Sequence, residues 1–220
     1  MRLPKSTLPF IFEFARKQWL KFTVLVLTSI VWAANDSFFP YFIKRIVNTL
    51  SNFHGAPEKV YAAVSGTLIL LAIFWGANEI CGRIQGITSI YFFPKFRASI
   101  RKNVFDYVKS HSHEYFSSNF AGNIAKKLSD LPTSSQTLVE IICFQFVTAF
   151  TGTVIVLIMM WLTHPLFAVV LLLWLAFHLG LTIWLLSSTN QLWETQSEAV
   201  STLSGKIIDA LTNILNVKLF

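Results

Sequence analysis

The sequence has 220 residues, of which 54% are hydrophobic and 13% charged, against about 25% charged in a soluble domain. Its formal charge of +7 comes from lysines and arginines clustered beside apolar runs, not from a polar face with interleaved stacking aromatics, so a nucleic-acid partner is not expected. Cys81 and Cys143 fall inside apolar segments without CxxC or Cys/His spacing, which excludes a disulfide framework or a cysteine-based metal centre as an expectation.

Residues 1–21 lack a clean apolar core followed by a small-residue cleavage site, so they do not read as a signal peptide; they read as a basic amphipathic segment lying on a membrane surface. A membrane span needs about 20 mostly apolar residues. Windows 22–43, 60–80, 141–161 and 166–187 qualify. No Asp, Glu, Lys or Arg occurs between Ile141 and Trp193, and Thr163-His164-Pro165 makes a very short connection between the last two windows. The fold class expected is therefore all-α, a polytopic membrane protein.

Basic residues set the orientation. Arg2, Lys5, Arg16, Lys17 and Lys21 precede the first window, and Lys95, Arg97, Arg101, Lys102, Lys109, Lys126 and Lys127 lie between the second and third. The other connections hold only Lys44, Arg45 and Lys59, or none, so the N-terminus and the middle segment are expected in the cytosol, in an inner or plasma membrane.

From residue 58 to 111 the pattern stays compatible with helix, with Pro94 expected as a kink. Some 50 residues amount to about 80 Å, against about 30 Å of hydrocarbon. Much of this helix must project beyond the bilayer as a stalk, over about 95–135. Phe96, Ile100, Val104, Phe105 and Val108 form its expected packing stripe. Ser129 or Asp130 is expected to cap the returning helix, with Pro132 in its first turn. A second stalk is expected over 190–220, with a break at Gly205.

Two segments carry a family resemblance. "RKNVFDYVKSHSHEYFSSNFAGNIAKKLSD" places Arg101, Phe105, Phe116 and Gly122 where the transmembrane domains of ATP-binding cassette (ABC) exporters show Arg, Phe, Phe and Gly, and "SEAVSTLSGKIIDALTNILNVKLF" resembles the segment of that family ending in Val-Lys-aromatic. The resemblance implies a partial ABC transmembrane domain over 22–220, the N-terminal four-helix portion of a half-transporter, working as a homo- or heterodimer. It also implies a coupling segment that docks on a nucleotide-binding domain, for which Tyr115, Phe116, Gly122, Lys127 and Asp130 are the candidates. Lys127 stands where the family often has Arg and Asp130 comes one place early, so an Arg-specific contact does not carry over.

No GxxxxGK[ST] loop occurs in the 220 residues, so ATP and Mg²⁺ are expected on a nucleotide-binding domain outside them, and the sequence is expected to be a fragment or a short product. No catalytic, cofactor-binding or metal-binding residue is assigned within it. The class-distinct alternatives are a secondary transporter or channel, which would want ionisable pairs near mid-membrane, and a non-transporting scaffold.

Other residues have plainer alternatives. Gly122 either permits close approach to a partner or ends a helical turn. Tyr115 and Phe116 either anchor in a partner groove or pack against the return helix. Lys126 and Lys127 steer an acidic partner or solvate the stalk. Asn35 and Asp36, in the first window, are candidates for a substrate path, since an intramembrane acid marks function by default. Glu79 and Arg83, four residues apart, are expected to form a structural ion pair. His111 and His113 lack a third ligand and read as polar surface, and neither His164 nor His178 has a catalytic partner.

Overall fold

A computed structural model describes residues 6–111 and 121–212, and every regular element among them is helical. In chain order these are α1 (Thr7–Arg16), α2 (Trp19–Ser51), a 3₁₀ turn (Pro57–Lys59), α3 (Val60–Lys109), α4 (Ala121–Glu140), a π-helical segment (Ile141–Phe146), α5 (Val147–Thr163) and α6 (Pro165–Thr212). The stretches long and apolar enough to cross a membrane are Trp19–Ser51, Val60–Lys109, Lys126–Thr163 and Pro165–Thr189. The described residues fall into two compact units divided after Ile158.

In the first unit α2 and α3 run antiparallel. Lys21 meets Tyr91, Ser29 meets Gln85 and Asn35 meets Phe74, so the partner number on α3 falls as that on α2 rises. Charge boundaries of the two helices coincide in space: Lys21 precedes the charge-free stretch 22–35, Lys95 follows the charge-free stretch 84–94, and the Lys21–Tyr91 contact holds both ends at one level. A third boundary, Glu140 before the charge-free run from Ile141, joins them, because Val139 and Cys143 share a core with Phe92 and Phe96. We take this level as one border of the hydrocarbon.

Packing differs above and below it. At the border and beyond, Phe14, Phe92, Phe96, Ile100 and Val139 are almost fully buried, with Phe92 stacked on Phe96 at 5.5 Å between ring centroids. Higher up, α2 and α3 leave most large apolar side chains exposed, and their buried residues include Thr28, Ser29, Thr67 and Asn78. The physical reason is the solvent. Water drives apolar side chains together, whereas lipid solvates them as well as protein does and leaves close packing and hydrogen bonds to join the helices.

α1 does not merely lie on a surface. Its stripe of Phe10, Ile11, Phe14 and Ala15 enters the same core, leaving Leu8 and Phe12 outward. The projecting part of α3, from Lys95 to Lys109, extends about 21 Å past the border. There Phe96, Ile100 and Val104 are buried, Val108 and Leu128 pack against the core, and α4 supplies the facing surface. Phe105 departs from the expected stripe: it is 56% exposed, because a stripe at spacing four (96, 100, 104, 108) already fills the face toward α4.

α4 also departs from expectation. It does not begin at Ser129 or Asp130; helix runs from Ala121 straight through Pro132. Pro132 is fully buried and leaves the Leu128 carbonyl without its helical donor, while one residue on Thr133 Oγ1 donates to the Ser129 carbonyl at 3.3 Å. At its other end α3 closes by tight turns, with Ser110 N and Oγ both donating to the Tyr107 carbonyl and His111 N to that of Val108. His111 Nδ1 lies 3.0 Å from the Tyr107 oxygen and its ring meets Tyr107 edge-on, a helix-end role and not a metal site.

In the second unit α6 continues unbroken through Gly205, where a break was expected. Only His164 separates α5 from α6, and it serves both: its N–H donates to the Met160 carbonyl, its carbonyl accepts from Phe167 N, and its Nδ1 accepts from Leu166 N at 3.3 Å. That cap explains a histidine with no chemistry to perform. Replacing His164 by alanine should cost about 1 kcal/mol, and asparagine should recover most of it. Thermal unfolding of the two variants in detergent is the check.

Candidate functional site

Between α2 and α3, well above the border, lies an open recess of about 660 Å³. Asn35, Asp36, Phe39, Leu68, Phe74 and Trp75 line it. With Asp36 fifteen residues beyond Lys21, the recess stands about 22 Å from the border. Asn35 Nδ2 donates to the Phe74 carbonyl at 3.3 Å, which fixes this amide and ties the helices together at the recess. Phe38 and Phe42 contact Phe74 with ring centroids 6.2 Å and 5.5 Å apart, so the wall beneath it is aromatic.

Pro40 sharpens the polar side. Lying inside α2, it has no N–H to give to the carbonyl four residues earlier, which is that of Asp36. One residue thus brings both an exposed carboxylate at the recess and a backbone carbonyl deprived of its helical donor. An acceptor-rich spot in an aromatic recess suits a cation or hydrogen-bond donor carried on an apolar body.

Sequence reasoning missed the ladder below the recess. Gln85 Nε2 donates to Ser29 Oγ at 3.1 Å, and Ser29 in turn donates to the Leu25 carbonyl. Asn78 is buried on the same inter-helix side, with Oδ1 accepting no hydrogen bond. The signal was present as polar residues seven apart, Asn78 and Gln85 on α3 and Ser29 and Asp36 on α2, a spacing that repeats one helix face. Gln85→Ala should cost about 0.6–1.7 kcal/mol of helix association, measured by thermal unfolding in lipid nanodiscs.

The remaining candidates are scattered. Glu79 and Arg83 are both exposed on α3, and they make no direct ion pair with each other; an exposed pair at this spacing is worth only about 0.3–0.5 kcal/mol, too little to hold two long side chains together. Gly122 lies in the first turn of α4, and Lys127 and Asp130 are exposed on that helix. Tyr115, Phe116 and His113 lie outside the described residues. No cluster of three or more His, Cys, Asp or Glu able to hold a metal occurs among the described residues.

Residues 22–220 match the family described as the ABC transporter transmembrane region. The chain belongs to that family. It is 26% identical over 190 residues to an uncharacterized ABC transporter ATP-binding protein of Haemophilus influenzae, an alignment covering 81% of this chain and 29% of that protein. The chain therefore spans less than a third of the curated relative it matches. As the membrane part of an ABC transporter it is a multi-pass integral membrane protein.

Proposed function

We propose that this chain is the membrane-spanning part of an ATP-driven exporter, with the N-terminus and the connection between α3 and α4 in the cytosol of an inner or plasma membrane. The observation that carries the proposal is the packed projection: α3 and α4 keep a buried apolar seam of Ile100, Val104 and Val139 from the border outward, with the partly buried Leu128 packed against it, where a mere connecting loop would need none. A rod stiffened in this way transmits a displacement at its tip to the spans.

In this reading the tip, residues 112–130, docks on a nucleotide-binding domain, in the same polypeptide or another. Tyr115 and Phe116 anchor it, Gly122 allows close approach, and Lys127 and Asp130 complement the partner's charge. ATP and Mg²⁺ bound on that domain supply the driving free energy, and two half-transporters pair so that their stalks close together. The recess at Asn35 and Asp36 belongs to the substrate path, with Asp36 receiving the cationic or donor end of an amphipathic substrate and Phe39, Phe74 and Trp75 its apolar body.

The run from Ile141 to Trp193, through α5 and the apolar first part of α6, holds no Asp, Glu, Lys or Arg, which weighs against the secondary-transporter alternative, since that wants ionisable pairs at mid-membrane. Reconstitution of the complete reading frame in proteoliposomes tests the proposal. Vanadate-sensitive ATP turnover coupled to substrate accumulation is the expected result; a complete protein with an intact phosphate loop but no such turnover overturns it.

A further inference from the structure

Where α1, α2 and α3 meet at the hydrocarbon border, Lys17, Lys21 and Lys95 surround one recess of about 460 Å³, completed by Gln18, Trp19 and Ser99. Its lysines are partly fixed. Lys21 Nζ donates to the Tyr91 carbonyl at 3.3 Å and lies 5.9 Å from the Tyr91 ring centroid, while Lys17 Nζ sits 4.6 Å from that of Phe14. The Tyr91 carbonyl that receives Lys21 is next in sequence to that of Ile90, which Pro94 leaves without a helical donor.

No carboxylate lines this recess. Three like charges around one hollow repel each other, most strongly beside a medium of low dielectric constant, and an anion between them reverses the sign of that interaction. Gln18 adds an amide oxygen that is buried and has no donor among the described residues, which suits a hydroxyl-bearing ligand. Level decides the source of the anion. Lys21 and Lys95 stand at the ends of the charge-free stretches of their helices, and the neighbouring Trp19 and Leu20 are 60% and 62% exposed, an aromatic and apolar rim facing lipid.

We propose that this recess binds the anionic headgroup of a membrane lipid, which neutralises the lysines and pins the α1–α2–α3 junction at a fixed height in the bilayer. The site is independent of the exporter reading. An amphiphile already in the membrane plane reaches it directly, and its tails lie along the exposed apolar flank. Each lysine near a bilayer surface is worth about a fivefold preference for anionic lipid, so three together give about a hundredfold.

The test uses the full chain in neutral detergent, offered equal amounts of phosphatidylglycerol and phosphatidylcholine, with retained lipid counted by native mass spectrometry. Preferential retention of phosphatidylglycerol is expected. Combined Lys17→Gln, Lys21→Gln and Lys95→Gln should abolish it, while Lys59→Gln, Lys102→Gln and Lys109→Gln, an equal loss of charge elsewhere, should not. The triple lysine-to-arginine variant should keep it, and with the unmodified chain high salt should collapse it. Equal retention of the two lipids by the unmodified chain, a preference unmoved by salt, or one surviving in the Lys17/Lys21/Lys95 variant overturns the proposal. So does displacement of the lipid by millimolar inorganic phosphate, which would make this a site for free anions.

Discussion

Substitution of Asp36 by asparagine should lower transport of cationic amphiphiles about tenfold to a hundredfold, the range spanned by losing a charge-assisted hydrogen bond of roughly 1.5–3 kcal/mol. Asparagine keeps the size and polarity of the side chain but removes the charge and turns one acceptor oxygen into a donor, so folding and membrane insertion should be unchanged. Uptake by inverted vesicles of a panel of amphiphiles matched in apolar body and differing in head charge is the measurement. Cationic members should lose transport and neutral ones keep most of theirs. Pro40→Ala offers an independent control, because it returns a helical donor to the Asp36 carbonyl and should weaken binding of the same compounds without touching the carboxylate. An Asp36→Asn protein that transports the whole panel at the unmodified rate would remove Asp36 from the substrate path and leave the rest of the exporter reading standing.

The spans and the great length of α3 were legible because charge and its absence are one-dimensional signals: nothing in α3 stops a helix, and its four interior glycines and Pro94 are individually tolerable. Partnership was harder to read. An amphipathic segment such as α1 looks the same whether its apolar face meets lipid or protein, so the burial of Phe14 against the core was invisible before the helices were placed. Phe105 illustrates a different limit. Both Val104 and Phe105 fit an apolar face within the scatter of a helical period, and only the position of α4 decides that Val104 is buried and Phe105 is not. Pro132 misled for a local reason, since proline is common in a helix's first turn and gives no hint that a buried position will accept it in mid-helix. Asn35 and Asp36 were legible as oddities in an apolar run, but the fate of the Asp36 carbonyl required reading Pro40 as a donor removed from a specific acceptor.

The projecting seam gives the second large effect. Ile100 is fully buried and Val104 nearly so, past the border where water makes their burial favourable. Truncating both to alanine should cost about 3–6 kcal/mol of stalk packing, the sum of a large and a moderate core deletion. In the proposed exporter a stalk loosened to that extent would still carry its tip to a nucleotide-binding domain, so ATP turnover should persist, but displacement of the tip would be absorbed along the helix pair and transport should fall by at least about tenfold. Spin labels at Lys109 and Lys126, both exposed, read the mechanical change directly, because a stiff pair gives a narrow distance distribution and a loosened one a broad distribution. Lys102→Ala, on an exposed position of the same helix, should alter neither measurement. If the double variant shows the broadened distances yet transports at the unmodified rate, stiffness of α3 and α4 is not what couples tip to membrane. Labels that report the stalk lying in or flat on the bilayer in the unmodified protein would remove the lever altogether.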